Sequence, residues 1–138
     1  MNIFEIIMLG GLIGLSAADL RTRKVSVYAV AVFGMAAVTC GIMQGNAAWS
    51  LAAGVLPGAF VLLLALCTRE SIGIGDGLVL CALGIFCGME RIVAVFGMAL
   101  FLSALLAMVL LVLKRAGRKT ELPFLPCLCA GYLLCVIW

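Results

Sequence analysis

Two aspartates are the residues of this 138-residue chain whose types best suit chemistry. Asp19 and Asp76 are the only aspartates, and the sequence contains no histidine. The lack of histidine excludes Ser-His and Cys-His nucleophiles, H-E-x-x-H zinc sites and histidine proton relays. Two carboxyl groups that share a site do not both ionise easily, so one stays protonated while the other takes a proton from an attacking water. Brought together, they could hydrolyse a peptide bond as the aspartic proteases do.

Seven cysteines are the other candidate nucleophiles or ligands. They form no C-x-x-C pair and lie in apolar stretches, which is typical of small buried side chains and not of a zinc site. We therefore expect no metal and no cofactor.

The composition indicates the solvent in which the aspartates must be positioned. Hydrophobic residues make up 67% of the chain and charged residues 11%, with a mean hydropathy of +1.35. This balance lies far outside that of water-soluble domains. The apolar and polar alternation of a membrane barrel does not appear. We predict an all-α protein, a polytopic bundle of about six transmembrane helices, with one transmembrane domain over residues 1–138.

Apolar stretches and basic residues predict the spans and their orientation. A helix needs roughly 20 residues to cross the hydrocarbon core, and the candidate spans are 2–20, 25–44, 48–68, 77–89, 91–113 and 122–138. Eight of the nine Lys and Arg residues follow spans one, three and five, and only Arg91 lies on the other side. Because basic loops stay in the cytoplasm, the N-terminus is predicted outside and both aspartates at the cytoplasmic face.

Glycines alternate with other residues around Asp76, at Gly73, Gly75 and Gly77. Their missing side chains let the backbone turn and let another chain approach closely. Span four has only about 13 residues, or roughly 20 Å of helix, so it either leans on its neighbours or has its inner end sunk in the membrane. In the second case, the Gly73–Asp76 turn is a non-helical stretch in a water-filled notch that holds the two carboxylates. Alternatively, the glycines make only a tight turn and Asp76 caps the helix of span four. Asp19 could likewise serve only as an ion partner of Arg23.

Three further glycine pairs, four residues apart, fit close packing of helices in lipid. They are Gly10/Gly14, Gly54/Gly58 and Gly84/Gly88. Pro57, inside span three, is predicted to kink that helix.

Three segments resemble a known family. The "GIGD" at 73–76 matches the G-x-G-D signature of intramembrane aspartic proteases. "DLRTRKV" from Asp19 resembles the first aspartate motif of the type IV prepilin peptidases, "IGIGDGLVLCALG" their second, and "LPFLPCLCAG" at 122–131 their closing segment. The segments occur in the family's order and span most of the chain. Presenilin-like proteases share G-x-G-D, but they are much longer and usually have tyrosine where Ala18 precedes Asp19.

The resemblance implies a membrane-embedded aspartic endopeptidase in a prokaryotic inner membrane. Asp19 and Asp76 would be the catalytic dyad, and the substrate would be a prepilin or pilin-like protein that loses a short cytoplasmic leader. Residues that would border the site or touch the substrate are Arg21, Arg23, Pro123, Phe124 and Pro126. Membrane lipid is the other expected partner, nucleic acid is not expected, and the oligomeric state stays open.

The chain departs from the family pattern at two places. Val25, Ser26 and Val27 stand where members often have Ile-Pro-Asn, and Leu78 stands where many have lysine. These departures concern substrate preference more than chemistry. The short loop after span one has no cysteine pair, so the resemblance is to the peptidase-only form without an N-methyltransferase.

Two alternatives stay open at this point. A small transporter or assembly subunit could use the aspartates as ion or proton sites, although it would need polar groups at several depths, and spans two, three and five hold almost none. A peptidase relative that has lost its activity is the second alternative.

Overall fold

The computed structural model describes residues 2–22, 26–68, 74–114 and 124–138, and these residues form helices and no strand. The helices are α1 (Ile3–Thr22), α2 (Val27–Met43), α3 (Ala48–Gly54), α4 (Leu56–Cys67), α5 (Ile74–Val112) and α6 (Phe124–Ile137). Three described stretches are long and apolar enough to cross a membrane, namely Ile3–Thr22, Ala48–Cys67 and Ile74–Val112, while α2 and α6 are shorter apolar helices. The predicted all-α membrane bundle is confirmed.

The third predicted span consists of α3 and α4, which meet at Val55. Pro57 lies in the first turn of α4, where its missing N–H would have no helical partner in any case. The N–H of Val55 donates to the carbonyl of Ala52 at 3.3 Å, which gives the tighter turn common at helix ends. The helix is therefore interrupted at Val55, two residues before the proline, and a kink of this span stays a prediction.

Gly88 divides α5 into two helical segments. Its backbone angles, φ 76° and ψ 169°, lie in a region that essentially only glycine occupies. The segment 74–87 is called α5a here, and the segment 89–112 is called α5b. They correspond to predicted spans four and five, whose boundary was expected near residue 90.

Gly88→Ala should lower the free energy of unfolding by about 1–3 kcal/mol. An alanine would have to adopt the strained backbone conformation, and its Cβ would lie 2.8 Å from the hydroxyl oxygen of Ser50. Thermal unfolding in detergent measures the effect. Gly97→Ala is the matched control, because a Cβ there meets nothing within 4 Å. Equal stability of the two variants would contradict the bend at Gly88.

The helix α5 packs against α2, α3, α4 and α6. The close contacts of α2, α3 and α4 fall on α5a, and those of α6 fall on α5b. Glycines allow this close approach. Gly54 of α3 lies against the backbone of Gly84, and Gly58 of α4 lies against Cys81. A Cβ on Gly88 would also lie close to the side chain of Ser50. The close packing predicted for the pairs Gly54/Gly58 and Gly84/Gly88 is therefore confirmed.

The same prediction is wrong for α1. A Cβ added at Gly10 or at Gly14 meets no atom within 4 Å. The physical reason is that α1 packs mainly against α6 and only loosely against α2, so this glycine face has no helix against it within the described chain.

Charged and polar contacts mark one end of the bundle. The Arg91 guanidinium donates to the Glu5 carboxylate at 3.2 Å, and the backbone N–H of Asn2 donates to the other oxygen of Glu5 at 2.8 Å. The amide of Asn46 donates to the carbonyl of Phe86 at 3.2 Å. We call this the Glu5 end, and we call the opposite end, where α1 finishes and α5a begins, the aspartate end.

Arg91→Ala should lower the free energy of unfolding by about 1 kcal/mol. The variant leaves the Glu5 carboxylate, 11% exposed, without its cation, and the 73% exposure of the Arg91 side chain keeps the effect small. Arg91→Lys keeps the charge and should recover much of the loss. Unfolding at low and high salt provides the check, because salt should narrow the difference from wild type; an unchanged stability at low salt would contradict the contribution of this pair.

Candidate active site

Asp19 lies in the last turn of α1 and is half-buried. It follows the buried residues Leu15 and Ser16 by about one turn, which puts it on the packed side of the helix. A carboxylate in the last turn is disfavoured by the helix dipole, so helix stability does not explain its position. Nearby, the Thr22 hydroxyl donates to the carbonyl of Ala18 at 2.8 Å and satisfies one of the acceptors left open at this helix end.

Asp76 lies in the first turn of α5 and is also half-buried. Here an acid is favoured by the helix dipole. Its carboxyl group is close enough to that of Asp19 to interact with it electrostatically. The structure thus brings the only two aspartates of the chain together at one end of the bundle, from the end of one helix and the start of another.

Gly75 and Gly77, on either side of Asp76, are helical, so the non-helical stretch considered for Gly73–Asp76 is wrong at Gly75, while Gly77 lies in the helix as predicted for span four. α5 begins at Ile74, three residues before the predicted start of span four. The reason is packing, since a Cβ on Gly77 would lie 2.8 Å from Cγ of Leu62 in α4. Glycine at 77 therefore admits α4 against the first turn of α5a. Gly73 lies outside the described residues.

The residues predicted to border the site are distributed over two helices. Arg21 is exposed in the last turn of α1. Phe124 and Pro126 lie in the first turn of α6, and the Phe124 ring packs edge-on against Phe96 of α5b, with ring centroids 6.5 Å apart. That contact joins α6 to α5b, and a role of these residues at the site stays a prediction. Arg23 and Pro123 lie outside the described residues.

The chemistry available at the aspartate end is that of a carboxyl pair. Across the described ranges, no group of three Cys, Asp or Glu side chains could hold a metal ion. All seven cysteines are free. A pair of half-buried carboxyl groups can still exchange protons with a water and with a substrate, which is general acid–base chemistry.

Sequence reasoning missed the polar cluster at the Glu5 end. It contains the Glu5–Arg91 pair, and Tyr132, whose buried hydroxyl has no hydrogen-bond partner among the described residues, lies within electrostatic range of both charges. Glu5 and Arg91 carry opposite charges and both fall at the predicted outer face, which could have indicated this ion pair. The cluster lies away from the aspartates and adds nothing to their chemistry.

The fold defines a polytopic membrane helix bundle with two aspartates at one end, and comparison with known proteins adds the family. The model of the type IV leader peptidase family matches residues 6–112, which include both aspartates. The chain belongs to this family, and the resemblance found in its motifs is confirmed. The family indicates a membrane peptidase that acts on a prepilin-like protein. Neither a curated protein nor a solved structure matches the chain.

Proposed function

We propose that this protein is a membrane-embedded aspartic endopeptidase that removes the short cytoplasmic leader from a prepilin or pilin-like protein. Asp19 and Asp76 are its catalytic dyad. The observation that carries the proposal is the electrostatic interaction between the two half-buried aspartates at one end of the bundle. Membership of the type IV leader peptidase family supports the class of substrate.

The dyad works by general acid–base catalysis on an ordinary water. The ionised carboxylate takes a proton from the water, whose oxygen attacks the carbonyl carbon of the scissile peptide bond. The protonated carboxyl group donates a hydrogen bond to the carbonyl oxygen. When the tetrahedral intermediate collapses, the C–N bond breaks and the leaving nitrogen receives a proton. One peptide bond and one water become a carboxyl group and an amine, so the reaction needs no cofactor.

The proposed orientation places the dyad at the cytoplasmic face of a prokaryotic inner membrane. The eight basic residues that follow spans one, three and five support this orientation. In the substrate class, a short basic leader precedes one hydrophobic helix, and the bond to be cut lies between them. A dyad at the inner face meets that junction. Arg21, Arg23, Pro123, Phe124 and Pro126 are proposed to border it, and the single domain carries no methyltransferase.

The test is cleavage by the purified full chain in liposomes, with a prepilin from the same genome as substrate. We expect one cut at the junction between leader and hydrophobic helix, which mass spectrometry of the products locates. If the folded protein leaves every pilin-like candidate of that genome intact, the function as a small non-enzymatic membrane subunit becomes the better explanation.

A further inference from the structure

An open groove lies between α1 and α2. Because α1 packs mainly against α6 and loosely against α2, a cavity of about 640 Å³ remains between α1 and α2. Its lining is almost entirely apolar and includes Gly11, Gly14 and Ala18 of α1. At Gly14, an added Cβ would meet no atom within 4 Å, so no other described part of the chain fills this position.

The groove leads to the aspartates. Its lining on α1 runs from Ile7 to Ala18, which is roughly 16 Å along the helix axis and about half of the hydrocarbon core. Ala18 directly precedes Asp19, and the lining on the α2 side includes Ser26, next to the start of that helix. One end of the groove is therefore at the proposed active site, and the other end lies within the membrane.

The lining of the groove suits contact with a helix. On α2, small and large residues alternate along the lining, with Ala29 and Ala36 around Val32, and small residues let a second helix approach closely in lipid. Tyr28 and Val32 are 86% and 68% exposed, so they present apolar surface that nothing in the described chain covers. A helix seated here for three turns would contact both α1 and α2.

We propose that the groove between α1 and α2 holds the hydrophobic helix of the substrate, so that the bond in front of that helix meets Asp19 and Asp76. This inference rests on the proposed function. It names the surface that recognises the substrate, and it gives a role to the open space beside Gly14. The proposed occupant of the groove is a protein helix, and a lipid acyl chain is the alternative occupant that the tests distinguish.

Gly14→Leu tests the groove, because position 14 lines it and a Cβ there meets no atom within 4 Å. For the full-length prepilin, we expect KM to rise at least about tenfold, the equivalent of about 1.4 kcal/mol of lost binding, with little change in kcat. A short peptide that contains the leader and the cut site, but lacks the hydrophobic helix, should be cut at the wild-type rate. Gly97→Leu, on α5b, is the matched control, because position 97 is equally open, and it should leave both substrates unaffected.

The outcomes separate this inference from the proposed function. If wild type cuts the prepilin and Gly14→Leu cuts it with the same KM, the groove proposal fails while the peptidase stands. An equal loss on both substrates would place the effect at the dyad and also overturn the groove. If wild type cuts neither substrate, the proposed function itself fails.

A binding experiment completes the test without requiring cleavage. A photoreactive amino acid replaces Val32 in the full-length Asp76→Asn chain, which is mixed with intact prepilin in liposomes. We expect crosslinks to the prepilin's hydrophobic helix, lost when Gly14→Leu is added and retained when Gly97→Leu is added. Crosslinks to lipid alone would overturn the proposal.

Discussion

Asp19→Asn and Asp76→Asn should each reduce the rate of leader cleavage by about 10²–10⁴-fold, the range that general acid–base catalysis contributes. Asparagine has nearly the shape of aspartate but cannot ionise or give up a proton to the leaving nitrogen. The two half-buried carboxyl groups interact with each other, so each should depend on its partner. The double variant should therefore be little slower than either single variant, as is found for groups that act as one unit.

The measurement is the initial rate of prepilin cleavage in liposomes, with circular dichroism to verify that each variant is helical. Glu90→Gln is the matched control. It makes the same acid-to-amide change at an exposed residue close to Arg91, beyond the Gly88 bend, and it should retain the wild-type rate. Single losses that multiply in the double variant would mean that the aspartates act independently, and normal rates in both single variants would contradict the dyad.

Much of the architecture was predictable because lipid constrains the chain strongly. Backbone polar groups must be satisfied internally within the hydrocarbon core, so long apolar stretches could be interpreted as helices. The six predicted spans correspond to the six segments α1, α2, α3 with α4, α5a, α5b and α6. Pro57 lies two residues from the interruption at Val55. The charged residues Glu90 and Arg91 predicted the boundary between spans four and five to within about two residues, whereas Gly88, where the break occurs, was predicted only as a packing glycine.

Whether the glycines beside Asp76 lie in a turn or in a helix was not predictable from the residue type. A glycine suits both a turn with positive φ and a helix that another helix touches, because both need a missing Cβ. At Gly77 the deciding fact is the position of Leu62 in α4, which belongs to tertiary packing. The same limit explains why the prediction of close packing failed for the glycines of α1. Gly10 and Gly14 repeat the spacing of Gly54 and Gly58, but the spacing does not encode whether a partner helix is present.

The two aspartates could be singled out from the sequence, but their approach to each other could not. Elimination of histidine and cysteine chemistry drew attention to the two aspartates, and the distribution of basic residues predicts that both lie at the cytoplasmic face, which stays a prediction. Their electrostatic interaction depends on α1 and α5a reaching the same end of the bundle. Spacing along the sequence cannot establish this, because the two helices are separated by α2, α3 and α4.

Gly84→Ala should destabilise the bundle strongly, with a loss of about 3 kcal/mol in the free energy of unfolding. A Cβ on Gly84 would overlap the carbonyl oxygen of Gly54, and a Cβ on Gly54 would overlap that of Gly84. Backbone atoms cannot rotate aside as a flexible side chain can, so α3 and α5a would have to separate. Separation of the two helices would leave cavities around Leu80 and Leu83, whose side chains are fully buried.

Thermal unfolding in detergent, with the folded yield from membranes, measures this effect. Gly97→Ala is the control, since it makes the same change in the same helix where a Cβ meets nothing within 4 Å. Because Asp76 is carried by α5a, we expect Gly84→Ala to lose cleavage together with folding, whereas Asp76→Asn should lose cleavage and stay folded. A Gly84→Ala protein as stable as Gly97→Ala would show that α3 and α5a do not make backbone contact at this point, and that the position of the second aspartate is set by other contacts.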